Sequence, residues 1–368
     1  MKKLIINLRT VVLLTCLACT AIMMAQDKAE RMKEIRKAYA EAKQEMSENG
    51  KEGRPRMDLT IAMNDGTEVS EDFIINDERE LTYFFKRIHQ SGKNDLFEPS
   101  CYFVVEKWSS NGHTSYREML FDPFSSHLLF SYMKAETHAG FVIESRYYYD
   151  DMGNLIEEKH KVGDSETTAE SQSWSSGGGD QTMAMTFLWI FNTLMQQKDI
   201  TTESYTAVTS GNKAEQMKHI RSMYEQAKQK VAKDAQSDIP RNIQIEIHDQ
   251  EDPNMPPQTD VLHFWFDNVE HGETTEKGCY FLSSTCELGD HHVYSEYLFE
   301  PKDARLLFCF SQQAQNNGPA LEWRYYFDNN GKCIEAKGQE ERYGPGFADK
   351  KTAKAWIELF TALVSPEG

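Results

Sequence analysis

Apolar residues near the start of the chain fall at three- and four-residue spacing. Met32, Ile35, Tyr39 and Ala42 form one stripe among Lys, Arg and Glu, which predicts an amphipathic helix. Met217, Ile220, Tyr224 and Ala227 repeat the stripe. After the first stripe the pattern changes to alternating or β-rich runs at residues 57–62, 81–85, 101–106, 116–121, 127–132 and 141–149. Turn signals lie between them at Asn64-Asp65-Gly66, Asn111-Gly112 and Asp151-Met152-Gly153-Asn154. An antiparallel meander is therefore expected. Residues 183–195 and 352–363 predict closing helices. The first of these is apolar nearly all round, yet well short of the roughly 20 residues needed to span a bilayer. It reads as a buried helix, wedged between the two parts of the chain.

These parts are copies. Residues 28–44 (KAERMKEIRKAYAEAKQ) and 213–229 (KAEQMKHIRSMYEQAKQ) agree at 11 of 17 positions, where chance gives about one. From Cys101 to Glu157, 21 of 57 positions recur without a gap between Cys279 and Glu335. Residues 180–194 match 349–363, so the first copy is longer, chiefly in the Ser/Gly-rich residues 173–179. The expected fold class is α+β: two tandem copies of a helix–antiparallel β-meander–helix domain. Each copy would carry six to eight strands, with helices over one face of a curved sheet. The divisions are a signal peptide over 1–25, a first domain over 26–198, a linker over 199–212 and a second domain over 213–368.

Charge and the opening segment set the compartment. Lys2, Lys3 and Arg9 precede an apolar run from Val11 to Met24, and Ala25-Gln26 offers a cleavage point. This is the order of a secretory signal. Lipid attachment at Cys19 is the weaker reading, because Cys16 stands where that motif usually has Leu. The expected location is periplasmic, cell-surface or secreted. The whole chain carries a formal charge of -18, and without the signal 37 basic residues face 58 acidic ones, a net of -21. Such a chain lacks the positive field that drives nucleic-acid binding and is repelled by anionic lipid. Beyond the signal five cysteines remain: Cys101, Cys279, Cys286, Cys309 and Cys333. An odd number leaves at least one thiol unpaired. Cys279 and Cys286 are seven apart, which on a regular strand places them on opposite faces.

Catalytic signatures are absent: there is no G-x-S-x-G, no P-loop, no H-E-x-x-H and no Rossmann glycine pattern. Glu287, Asp290, His291 and His292 form the most metal-like cluster, yet the first copy has Gly112 and Thr114 where the second has Asp290 and His292. Asp328-Asn329-Asn330-Gly331 fails as a calcium loop, because the first and twelfth ligand positions fall on Tyr326 and Lys337. No metal and no cofactor is expected. The chemistry worth following is a strand pattern kept in both copies. Glu144, Arg146, Tyr148 and Asp150 share one face opposite Ser145, Tyr147 and Tyr149, and Glu322, Arg324, Tyr326 and Asp328 share one opposite Trp323, Tyr325 and Phe327. Glu118 and Glu296 come from a nearby strand. Arg beside Tyr suits a carboxylate or a sugar, and a cross-strand ion pair on a solvated face explains the same residues.

Several segments carry a resemblance: the Ala25-Gln26 junction, the K-A-E-x-M-K-x-I-R helix, Pro257-Gln258-Thr259-Asp260 before His263-Phe264-Trp265-Phe266, and R-Y-Y-[YF]-D-x-x-G. Together they resemble secreted proteins of gut Bacteroidetes. The first copy departs from the pattern with Asp77-Glu78-Arg79-Glu80. The resemblance implies a compartment and a lineage but no mechanism. The Y-D-x-x-G hairpin also looks like the repeats of surface YD proteins. The function expected is a non-catalytic binding or interaction module, monomeric, for a small ligand, glycan or protein. Its ligand-binding residues would be Arg146, Tyr148, Glu118, Arg324, Tyr326 and Glu296. The alternatives are a hydrolase drawing on Glu118, Glu296, His113 or His291, and a structural envelope component.

Overall fold

A computed structural model describes residues 28–47, 55–70, 73–89, 97–110, 113–136, 140–163, 165–167, 178–198, 213–237, 240–250, 257–272, 274–289, 291–314, 318–338 and 350–364. The expected signal peptide, the linker, residues 173–177, the Asn111-Gly112 turn and Asp290 lie outside them. Helix α1 covers residues 28–47. Eight strands follow: β1 (Arg56–Ser70), β2 (Phe73–His89), β3 (Phe97–Ser110), β4 (His113–Phe121), β5 (Leu128–Glu136), β6 (Val142–Tyr149), β7 (Leu155–Val162) and β8 (Ser165–Thr167). Next come α2 (Gly178–Lys198) and α3 (Lys213–Asp234). Seven more strands complete the sheet: β9 (Arg241–Gln250), β10 (Gln258–His271), β11 (Thr274–Leu288), β12 (His291–Glu300), β13 (Arg305–Gln313), β14 (Leu321–Phe327) and β15 (Cys333–Gly338). Helix α4 (Lys350–Val364) closes the chain. The fold is α+β.

All fifteen strands form one antiparallel sheet in the order β15-β14-β13-β12-β11-β10-β9-β1-β2-β3-β4-β5-β6-β7-β8. Each half is a meander, and the halves meet where β1 pairs with β9. Leu59 lies opposite Ile247, Thr60 opposite Glu246 and Ile61 opposite Ile245. The six expected strands are present; five are longer than the sequence pattern suggests, and β6 falls within its expected span. The pattern does not predict β7 and β8. Asn64-Asp65-Gly66 is not a turn, because β1 continues through it to Ser70 with a register shift after Asn64.

Helices cover both faces of this sheet, not one. Met32, Ile35 and Ala42 of α1 pack on Phe84, Phe103, Leu120 and Phe130. Met217, Ile220 and Ala227 of α3 pack on Phe281, Leu298 and Phe308 of the same face in the second half. On the opposite face α2 and α4 contact each other. They bury Phe187, Phe191, Leu359 and Phe360 in a single core that runs under both halves. The helix over residues 183–195 thus does sit at the junction, although Met185 and Trp189 on its outer side remain exposed. Among the described residues no helix is long and apolar enough to cross a membrane.

Bulges let consecutive apolar residues serve both layers. Phe84 pairs with Phe103 and Phe85 with Cys101, so Tyr102 is an extra residue in β3. Trp265 and Phe266 make the same step around Tyr280. Cys101 and Cys279 therefore point to the α2/α4 side, while Tyr102, Phe103, Tyr280 and Phe281 stay under α1 and α3. A bulge restarts the alternation, and that overturns the expectation for Cys279 and Cys286. They share a face of β11 but stand far apart along the strand, and none of the five cysteines is in a disulfide.

Candidate functional site

Glu118 and Glu296 are the first of the anticipated residues to be accounted for. Each points from the sheet toward the helix above it and is almost fully buried. Glu118 accepts hydrogen bonds from the Tyr39 hydroxyl and the Lys43 ammonium of α1, and from the Tyr116 hydroxyl two residues back on β4. Glu296 is held in the same way by Tyr224 and Lys228 of α3 and by Tyr294 at 2.6 Å. Burial and then the glutamate hydrogen bond push the Tyr39, Tyr116, Tyr224 and Tyr294 phenols well above their ordinary value. These phenols stay protonated donors. Three donors fill most of a carboxylate's lone-pair sites, and burial closes the rest to solvent. Both glutamates fasten a helix to the sheet and are unavailable to a ligand, contrary to expectation.

Tyr148 and Tyr326 are also buried, so only part of the charged strand face is solvated. Tyr148 packs on Phe130 with ring centroids 4.9 Å apart, and Tyr326 on Phe308 at 4.8 Å. What remains open are the guanidinium groups. Arg146 donates to Glu144 at 3.1 Å along its own strand, not across strands, and its guanidinium lies 5.6 Å from the centre of the Tyr132 ring. Arg36, which the sequence pattern does not single out, reaches down from α1 to within 5.7 Å of the Tyr148 ring centre. With Tyr39 and Phe130 these groups line a concavity of about 230 Å³. In the second half Arg221 lies over Tyr326 at 5.7 Å, Arg324 over Phe310 at 5.3 Å, and Arg324 donates to Glu322 at 2.8 Å. Each half therefore sets one helix arginine and one sheet arginine over rings of the same sheet face.

The other candidates do not converge. His113 and Glu118 are five apart on β4, so alternation puts them on opposite faces. Glu287 and His292 are exposed cross-strand neighbours 3.5 Å apart. No group of three metal-ligating side chains gathers among the described residues. Asp150 and Asp328 use a carboxylate oxygen to accept backbone N–H groups from Met152 and Asn154, and from Asn330 and Lys332. These are tight hairpin turns, with Gly153 and Gly331 at φ 81° and 69°.

Sequence reasoning missed a polar cluster on the α2 side. Buried Glu106 meets Arg79 at 3.3 Å and Arg117 at 2.9 Å, and the Arg117 Nε lies 3.7 Å from Asp180 at the start of α2. Ser145 faces His160 across β6 and β7 with Oγ and Nδ1 2.9 Å apart. The second half places Trp323 opposite Gly338 at that position. A Cβ on Gly338 would collide with the Trp323 ring. A small–large pair is exchanged for a large–small one, so Ser145 and His160 fill space as a cross-strand pair. No family model matches the chain, and no curated protein is similar to it.

Proposed function

We propose that the chain is an exported, non-catalytic binding protein made of two tandem helix–meander–helix copies. Each copy would present one arginine–aromatic notch to a carboxylate-bearing ligand. The duplication is supported by the 11 of 17 identities in the opening helices and by the recurrence of the Tyr–Lys–Glu–Tyr anchor. The exchanged strands β1 and β9 support it too. In their alignment Leu59 matches Ile245 and Ile61 matches Ile247, and each pairs with the other's counterpart. That is the pattern of an isologous two-fold contact.

The observation that carries the binding reading is the placement of Arg36 over buried Tyr148 and Arg146 over half-buried Tyr132 in one concavity, with Arg221 over Tyr326 and Arg324 over Phe310 in the second half. Guanidinium groups present forked donors matched to carboxylates. Their stacking on aromatic floors fixes them before a ligand arrives, which reduces the ordering cost of binding. Arg36 has no carboxylate partner among the described residues, and a local surplus of positive charge stands out on a chain of -18.

The test is titration of the full chain with simple carboxylates, free glucuronic acid among them, followed by NMR shift changes. Binding should fall at least tenfold in Arg36→Ala and Arg146→Ala at the first notch, and in Arg221→Ala and Arg324→Ala at the second. Unchanged titrations in all four variants would reject the reading.

A further inference from the structure

The first notch opens onto a larger groove on the same sheet face. This groove measures about 740 Å³ and shares Tyr132 with the notch, a volume within the range of ligand sites. Its floor is one transverse row of cross-strand neighbours. Thr60 lies opposite Glu80, Glu80 opposite Lys107, Lys107 opposite Tyr116, and Tyr116 opposite Lys134. At about 4.8 Å between strands this row runs about 19 Å. Along it cation and ring alternate, Lys107–Tyr116–Lys134, with the cations two strands or about 10 Å apart. Lys134 has Glu144 as its next neighbour, and Arg146 lies diagonally beyond it.

The carboxylates on this face take up part of that charge and leave Lys134 as the unpaired cation of the row. Glu80 is paired with Lys107 at 2.7 Å and Glu144 with Arg146 at 3.1 Å. Lys134 is exposed without a carboxylate partner among the described residues. Glu78 and Glu136 bound the row on the side away from α1.

Building on the carboxylate-binding reading, we infer that the first copy takes an extended acidic oligosaccharide bearing a carboxylate on alternate units. One carboxylate would sit at Arg36 and Arg146 and the next at the lysines. The intervening pyranose faces would lie on Tyr132 and Tyr116, whose flat amphipathic rings suit a sugar. An acidic peptide fits less well, because an extended peptide adds to a sheet edge and this row crosses the middle of strands already paired on both sides. The second copy keeps Tyr294 in the equivalent row but has Thr285 and Gln312 in place of the two lysines. It should bind single units only.

The experiment is calorimetric titration of the full chain with glucuronic acid, with hyaluronan tetra- and hexasaccharides, and with oligoglutamate of matching length. Expected are at least a tenfold tighter hexasaccharide than glucuronic acid, one hexasaccharide per chain, and loss of that gain in the double variant Lys107→Ala/Lys134→Ala. Both lysines are exposed, so the variant should keep the wild-type melting temperature and its glucuronic acid affinity. If glucuronic acid binds through the arginines but length adds nothing, or the double variant keeps the gain, the groove assignment is overturned alone. An equal gain with oligoglutamate overturns the ligand class. A lysine-dependent hexasaccharide gain that ignores Arg36→Ala and Arg146→Ala would support the groove and overturn the notch. No binding of any of these overturns both.

Discussion

Glu118 and Glu296 show how a residue type can suggest one role and its surroundings assign another. A glutamate kept near Arg and Tyr reads as a ligand contact, but three donors from two elements already engage it. Replacing one oxygen by an amide NH2 turns a donor toward the phenol and ammonium donors that held the carboxylate. Glu118→Gln and Glu296→Gln should each cost about 1–3 kcal/mol of stability. The two sites lie in different halves and share no partner, so in the double variant the losses should add within about 0.5 kcal/mol. Urea unfolding of the three variants measures this. A variant as stable as wild type, with altered carboxylate binding instead, would return the glutamate to the site.

At the scale of elements, the same helix is fastened at its other end by charge. Lys213, the first residue of α3, pairs with Glu335 on β15, as Lys28 of α1 pairs with Glu157 on β7 at 3.3 Å. The Lys213 hydrogen bond holds the Glu335 carboxyl below its ordinary 4.5. At Glu157 burial pushes upward, but Lys159 and Lys28 outweigh it and the net shift is again downward. A lowered folded pKa means the contribution is complete above the unfolded value and is lost as pH falls through the folded one. Glu335→Gln should therefore be less stable than wild type at pH 7 and indistinguishable from it once the pH has fallen below the lowered folded pKa. Thermal melts across that window test it, and a difference persisting at low pH would count against the pair. The opening helices and six strands were legible because each buries one regular stripe or one alternating face. β7 was not, since Leu155–Val162 is half-exposed along much of its length near the sheet edge. Bulges were not legible either: Cys-Tyr-Phe and Leu-Leu-Phe read as unbroken apolar runs, and only pairing shows which residue is extra. The notch was half visible. Arg146 stood out by recurrence, whereas Arg36 is one basic residue among several on α1 until the sheet places Tyr148 beneath it.

For the whole molecule, the β1–β9 junction decides whether the halves are independent. Here Thr60 faces Glu246, flanked by Leu59 opposite Ile247 and Ile61 opposite Ile245, and α2 lies against α4 on the core side. Because β1 and β9 are equivalent strands under the proposed duplication, a first half expressed alone (residues 26–198) exposes an edge that a second first half can complete. Leu59 would face Ile61 of the other molecule, Thr60 would face Thr60, and the two α2 helices would stand where α2 and α4 now meet. Exposed strand edges with apolar neighbours pair in this way. The second half alone (residues 213–368) would instead oppose Glu246 to Glu246, and like charges directly opposite destabilise a ladder. Sedimentation should therefore find the first fragment dimeric. The second should be monomeric or at least tenfold weaker in association, and Glu246→Thr should strengthen it. A folded first fragment that remains monomeric would mean that the intact chain is held at this junction by the linkage of its halves and not by the complementarity of β1 and β9.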